Sequence, residues 1–296
     1  MGYSIFDETM VDMTWPEIEK AAEERAIVLL PTGVIEEHGP HMGLAVDTYC
    51  SYLVCRRTKK ELESGGTRTL IAPPYYWGIN GATGAFPGSF TVRKETMKAL
   101  IYDILASLKR WGFDYVFNIN WHGDNDHNRV ILEAVKEARD DTGIRAYSVL
   151  RAFEAKRFGL TGQEPHVILQ NNPPAKGPPP KYLEIHAESL ETGIMAKYFP
   201  GQVDIDAAKS LKSTDLTMED LMVWRQGWSD ARKITPLGYF GDPASFDPDA
   251  AERAVEGYAK DTAERIDAFL NEKGRAQEKQ GSKGIGRCSK NTGTRS

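Results

Sequence analysis

Apolar residues along this chain of 296 follow two rhythms. Short unbroken runs, AIVLLP at 26–31, TRTLIAPP at 67–74, DYVFNIN at 114–120 and RAYSVLR at 145–151, have the form of strands covered on both faces. Between them, Met97, Leu100, Ile101, Ile104, Leu105, Leu108 and Trp111 recur at three- and four-residue spacing, the stripe of an amphipathic helix. Residues 47–62 and 128–140 also pattern as helices. Thr14 and Glu17 stand at capping-box spacing, with Pro16 in the first turn, and predict a short helix ahead of the first strand. This alternation predicts an α/β domain with a mostly parallel sheet and helices on both faces. The segment NNPPAKGPPPK at 171–181 must be a loop, because its prolines remove donors and fix φ. Helices are expected after it at 187–198, 217–227 and 249–271. That remainder is too short and too helical for a second sheet domain, so residues 1–272 read as one domain.

Charge alters the picture only at the end of the chain. The net charge is −5, yet residues 273–296 hold seven Lys/Arg against one Glu, which leaves the body strongly acidic. An acidic body offers no stripe for nucleic acid. The tail, Gly/Ser-rich and without periodicity, reads as disordered. No apolar run approaches the roughly 18 residues of a spanning helix, and the opening segment lacks the basic and apolar regions of a secretory signal. Cys50, Cys55 and Cys288 are odd in number and form no CxxC, which suits thiols in a reducing cytoplasm.

The chemistry is concentrated where strands end. The first strand runs into LPTGVIEEHGPHMGLAVD (30–47), the third into NINWHGDNDHN (118–128), and a third cluster, EIHAESLET (184–192), follows the proline-rich loop. Ligands bind at the carboxyl ends of strands in such sheets, so two of the clusters can converge. Taken singly, Glu36 and Glu37 could be solvated, His38 and His41 loop histidines, and Asp47 a helix N-cap. The run Asp124-Asn125-Asp126 is no calcium loop, since Arg129 stands where Gly is required and Val135 where Glu is required. There is no HExxH, GxSxG or P-loop, and GINGATG lacks dinucleotide-fold spacing. Glu-x-His and His-x-Asp at two strand ends can instead offer oxygen and imidazole ligands to adjacent divalent cations.

Together the clusters resemble the creatininase (creatinine amidohydrolase) family. Its first motif, E-[QE]-H-G-P-H-L-P-L-x-T-D, is matched by EEHGPHMGLAVD from Glu36 to Asp47. Its second, N-G-H-[GY]-[GE]-N, is matched by NWHGDN (120–125), its third, D-x-H-A-G-E-x-E-T, by EIHAESLET, and its F-P-G-T segment by FPGS (86–89). The resemblance implies a three-layer α/β/α domain and a cytoplasmic hydrolase of a non-peptide C–N bond in a small linear or cyclic amide. It implies two divalent metals holding a bridging hydroxide, zinc first, with manganese or iron as substitutes. Carried over by position, Glu36, Asp47 and His122 hold one metal and His38, Asp47 and Asp124 the other. His186 serves proton transfer or the oxyanion, and Glu188 stands beside it as the second catalytic candidate. Trp77, Trp121 and Tyr182 are assigned to the substrate wall. Homo-oligomers, hexamers among them, are the assemblies the resemblance implies; neither a membrane nor a nucleic acid is expected as partner.

This chain also departs from the pattern. Trp121 replaces a small residue, Asp124 stands where creatininase has Glu, and Glu188-Ser189 stands where the pattern has Gly-Glu. Ala82-Thr83 replaces the Glu-His of many relatives. Two other readings therefore stand beside the amidohydrolase: a deformylase or peptide-processing member, and a non-catalytic metal-binding or regulatory protein on the same scaffold.

Overall fold

In the computed structural model, which describes residues 4–171 and 180–285 with side chains as far as Lys273, five parallel strands form one sheet. They are β1 (Ile27–Thr32), β2 (Thr69–Ile71), β3 (Tyr115–Asn120), β4 (Arg145–Leu150) and β5 (Val167–Leu169), in the order β2-β1-β3-β4-β5. The helices are α1 (Trp15–Glu23), α2 (Val46–Ser64), α3 (Lys94–Arg110), α4 (Asn125–Thr142), α5 (Ala152–Arg157), α6 (Ser189–Tyr198), α7 (Ile205–Ser210), α8 (Met218–Trp224), α9 (Trp228–Ile234) and α10 (Pro248–Ile285).

The apolar run of β1 is buried at every position because it serves two cores. Ile27 and Leu29 pack with Val54 of α2, Ile194 of α6 and Val255 and Ile266 of α10. Val28 and Leu30 face the other way, onto Ala21 of α1, Met97, Ile101 and Leu105 of α3, and Val130 and Val135 of α4. Alternate strand residues point to opposite faces, so the continuous run dictates a layer of helices on each side. The three-layer α/β/α architecture follows. The register pairs Val28 with Leu70 on one side and with Val116 on the other, which puts β1 in the interior of the sheet.

Local signals account for most boundaries. The Glu17 carboxylate accepts the Thr14 N–H at 2.7 Å, closing the expected capping box of α1. Gly143 adopts φ 72 after α4, the left-handed residue that ends a helix. Four elements were not expected: β5, of three residues, and α5, α7 and α9, of six, six and seven. Each is too short to display a full period. α10 runs to Ile285, past the expected end at 271 and into the stretch expected to be disordered. Residues 286–296, and most of the proline-rich loop (172–179), lie outside the described residues.

The order β2-β1-β3 means that the chain leaves β1 toward one neighbour and returns to pair on its other side. Between β1 and β3 lies the switch point where α/β sheets open a crevice at their carboxyl edge.

Candidate metal centre

Three stretches meet at that crevice. After β1 the chain runs extended through Glu36 to His38, turns at Gly39 (φ 67), and re-enters at the first turn of α2, where Asp47 lies. The turn is closed by the Glu36 N–H donating to Leu44 O at 2.9 Å. Asp47 does not cap its helix, since Ala45 occupies the N-cap position and leaves the carboxylate available. His122 follows β3, and its carbonyl accepts the side-chain amides of Asn120 (2.7 Å) and Asn128 (2.9 Å), which fixes the residue. His186 reaches the crevice from the other side through a bridge to Phe240.

Each of the three histidines spends one ring nitrogen on a backbone carbonyl. His38 donates from Nδ1 to Glu36 O (3.1 Å), His122 from Nε2 to Ile79 O (3.0 Å), and His186 from Nε2 to Glu37 O (2.8 Å). The opposite nitrogens face carboxylates. His122 Nδ1 is 3.0 Å from Glu36 Oε1 and 3.1 Å from Asp47 Oδ2. His38 Nε2 is 3.8 Å from both Asp47 Oδ1 and Glu191 Oε2, and His186 Nδ1 is 3.9 Å from Glu36 Oε1. A histidine anchored at one nitrogen presents a lone pair at the other, the arrangement of a metal ligand. Two sets of possible ligands share Asp47: Glu36, Asp47 and His122, and His38, Asp47 and Glu191, with the ligand atoms of each set within 4.8 Å of one another. Glu36, His38 and His186 form a further set.

With protein charges alone the cluster is under electrostatic tension. Burial pushes the Glu36 carboxyl up, against the pull of His122. Burial also raises Asp47, but the His122, His38 and His186 rings together outweigh it, His122 most of all, and hold Asp47 below the usual carboxylate range. Burial holds Glu191 up at about 7, with Asp47 adding to the shift. Burial and the neighbouring His186 bring His38 down to about 3, so it is neutral. Burial opposes charge on His122 and His186, yet the carboxylates prevail: His122 is pushed well up, and His186, between Glu36 and Glu37, to about 10. Protonated histidines thus balance carboxylates in a place where a cation would do so. The residues fit a metal on a second ground. His38 Nε2 is buried with no hydrogen-bond partner, a state that is costly unless something coordinates it.

Of the sequence-assigned ligands, the structure brings Glu36, His38, Asp47 and His122 together but not Asp124. The Asp124 carboxylate caps α4, accepting the N–H of His127 at 2.9 Å, and accepts the N–H of Gly81 at 3.1 Å. Its oxygens are taken up by these N–H groups, and it stands in none of the ligand-capable sets among the described residues. Glu191 stands beside His38 instead, in the first turn of α6. The only trace of it in the sequence is the third Glu of EIHAESLET. Glu188, the catalytic candidate beside His186, is likewise a helix cap and accepts the N–H groups of Leu190 (2.6 Å) and Glu191 (3.2 Å).

The aromatic wall is reassorted. Trp77 is 41% exposed and packs edge-on against Phe90, and Tyr182 bonds Lys181 and Ser213, so neither makes a contact within the cluster. Trp121 does: its indole N–H donates to Glu191 Oε1 at 3.1 Å. Trp224, which the sequence did not single out, has its ring 5.9 Å from that of His186. Thr83, another departure from the family pattern, donates its hydroxyl to Glu36 Oε2.

Known proteins resemble this chain over most of its length. A creatinine amidohydrolase from Pseudomonas putida is 27% identical over 215 residues, 70% of this chain and 76% of that protein. The mycofactocin precursor peptide peptidase of Mycolicibacterium smegmatis is 26% identical over 241 residues, 81% and 84% of the two chains. Among solved structures, a Zn-Zn form of a creatininase mutant shares the fold with a TM-score of 0.65 at 21% identity, covering 90% of this chain and 98% of that one. The sequence profile of the creatininase family, creatinine amidohydrolase, matches residues 11–266. The chain belongs to the creatininase family of amidohydrolases.

Proposed function

We propose that this protein hydrolyses the C–N bond of a small linear or cyclic amide with the help of two divalent cations, zinc first among the candidates. The carrying observation is Asp47: one buried carboxylate shared by two ligand sets, one of which contains the unpartnered His38 Nε2. Glu36, Asp47 and His122 would hold one cation and His38, Asp47 and Glu191 the other, with a bridging carboxylate between them. Bound there, such ions polarise an amide carbonyl and supply a hydroxide near neutral pH. Carboxylate and imidazole donors without thiolate suit zinc, and also manganese or iron. Solved creatininases in a Zn-Zn form and in an Mn form support zinc and manganese alike.

His186 carries the proton. Its Nε2–H is committed to the Glu37 carbonyl, so a proton on Nδ1, which faces Glu36, is the one available to a departing nitrogen. With protein charges alone, the surrounding carboxylates push the ring up to about 10. Amide cleavage needs this donor because an unprotonated amine anion leaves poorly. Trp224 lies beside His186, its ring 5.9 Å away.

A peptide substrate is the second reading, favoured by the likeness to the mycofactocin precursor peptide peptidase. Elemental analysis of the purified protein and a panel of formamides, lactams and short peptides test both. Turnover of lactams or small amides, abolished by chelation and restored by zinc or manganese, is the expected result. Turnover of peptides alone would move the substrate class, and a metal-free, inert protein would refute the enzyme reading.

We also propose a cytoplasmic homo-oligomer. Cys50 and Cys55 are buried free thiols, and no helix among the described residues is long and apolar enough to cross a membrane. Light scattering reads the subunit number.

A further inference from the structure

We infer that Thr83 and Trp121 are positioning residues that address the two proposed cation positions separately, each by occupying the far oxygen of one non-shared carboxylate. The inference rests on the two-cation reading above and concerns the residues that hold its ligands.

Glu36 has two oxygens with different partners. Oε1 faces His122 Nδ1 at 3.0 Å and His186 Nδ1 at 3.9 Å, while Oε2 accepts the hydroxyl of Thr83. Thr83 and Glu36 are both buried, so no solvent competes for that oxygen. Glu191 is arranged likewise. Its Oε1 accepts the indole N–H of Trp121 at 3.1 Å, and its Oε2 points to His38 Nε2 at 3.8 Å. The Ala187 N–H, 2.8 Å from Oε2, steadies that orientation. Ala187 adopts φ 50, a left-handed conformation that L-residues other than Asn and Asp rarely take, and it aims this N–H at the carboxylate. Strain retained next to a ligand carboxylate points to a geometric requirement there.

A carboxylate left free to rotate presents either oxygen, or both, and loses orientational entropy when it binds. Holding one oxygen in advance leaves a single donor atom aimed at the cation, which is how partners behind a ligand raise metal affinity. Of the two sets that share Asp47, each bond serves one: Glu36 belongs to the set with His122, and Glu191 to the set with His38. Thr83 and Trp121 lie on different segments, the Gly-rich loop before FPGS and the end of β3, so they can be perturbed independently.

The test is titration of Zn2+ into the metal-free full-length chain against a chromophoric chelator, which reports both stoichiometry and affinity. Two equivalents are expected for the unmodified protein. Thr83→Val, which keeps the shape and removes the donor, should weaken one equivalent by roughly 10- to 100-fold and leave the other unchanged. Thr83→Ser should restore it. Trp121→Phe should weaken the other equivalent by a similar factor, and the double variant should weaken both. If Thr83→Val does not fold, Thr83→Ala carries the same expectation. Two equivalents of unaltered affinity in the single variants would overturn the proposal while leaving the two-cation reading intact. Both variants weakening the same equivalent would also overturn it. Fewer than two equivalents in the unmodified chain would overturn the two-cation reading and this proposal with it.

Discussion

Gly33 links the fold to the metal centre, and Gly33→Ala tests the link. The residue follows β1 at the point where the chain passes under the start of α2. A methyl group there would lie 2.7 Å from the carbonyl carbon and oxygen of Asp47 and 2.8 Å from the Thr48 nitrogen. These are backbone atoms, so no side-chain rotation relieves the clash. Comfortable carbon contacts begin at about 3.5 Å, so the N-terminus of α2 must retreat by roughly 0.8 Å. Overpacking of this kind costs about 1–3 kcal/mol, and for a domain of this size that corresponds to a Tm lower by about 2–10 °C. The larger consequence falls on Asp47, whose carboxylate moves with the helix. Metal–ligand distances tolerate only about 0.2 Å, and Asp47 is common to both ligand sets, so both zinc equivalents should weaken together. Differential scanning calorimetry of the metal-free protein and zinc titration of the same sample measure the two effects. A variant with unchanged Tm and unchanged affinity for both equivalents would show that α2 is not held against Gly33, and that Asp47 is not placed by this contact.

Three other outcomes are expected. Asp47→Asn preserves the shape but removes the shared charge, so both equivalents are lost; retention of either by elemental analysis would refute the bridge. His186→Gln should retain two metal equivalents while turnover falls by about 10²- to 10⁴-fold; an unaltered kcat would remove His186 from proton transfer. Asp124→Ala deletes the cap of α4 and should cost about 0.5–2 kcal/mol by thermal or urea unfolding, with metal stoichiometry untouched. Loss of one equivalent in that variant would return Asp124 to the ligand set.

The strands and long helices were legible because burial imposes a period. Continuous runs such as AIVLLP and the stripe from Met97 to Trp111 can be satisfied only by a two-faced strand and an amphipathic helix. Glu36, His38, Asp47 and His122 were legible for another reason: they lie where strands end or a helix begins, and topology alone brings those points to one edge of the sheet. Asp124 and Glu188 cap helices in the structure, an occupation the sequence did not separate from ligand or catalyst, because a carboxylate near a helix start has the same sequence signature in either case. Which of them it adopts depends on whether its own backbone N–H groups or a distant imidazole lies nearer.

The sequence by itself therefore determined the α/β layering and the meeting of the strand-end residues Glu36, His38, Asp47 and His122 at one edge of the sheet. Only the tertiary structure decided the remainder. Glu191 reaches His38 because α6, about 150 residues further along the chain, packs against the core that α2 and α10 share. Thr83 and Trp121 find their carboxylates across 47 and 70 residues of chain. Contacts of that kind leave no period in the chain, because each depends on how separate elements are packed rather than on the preferences of either one.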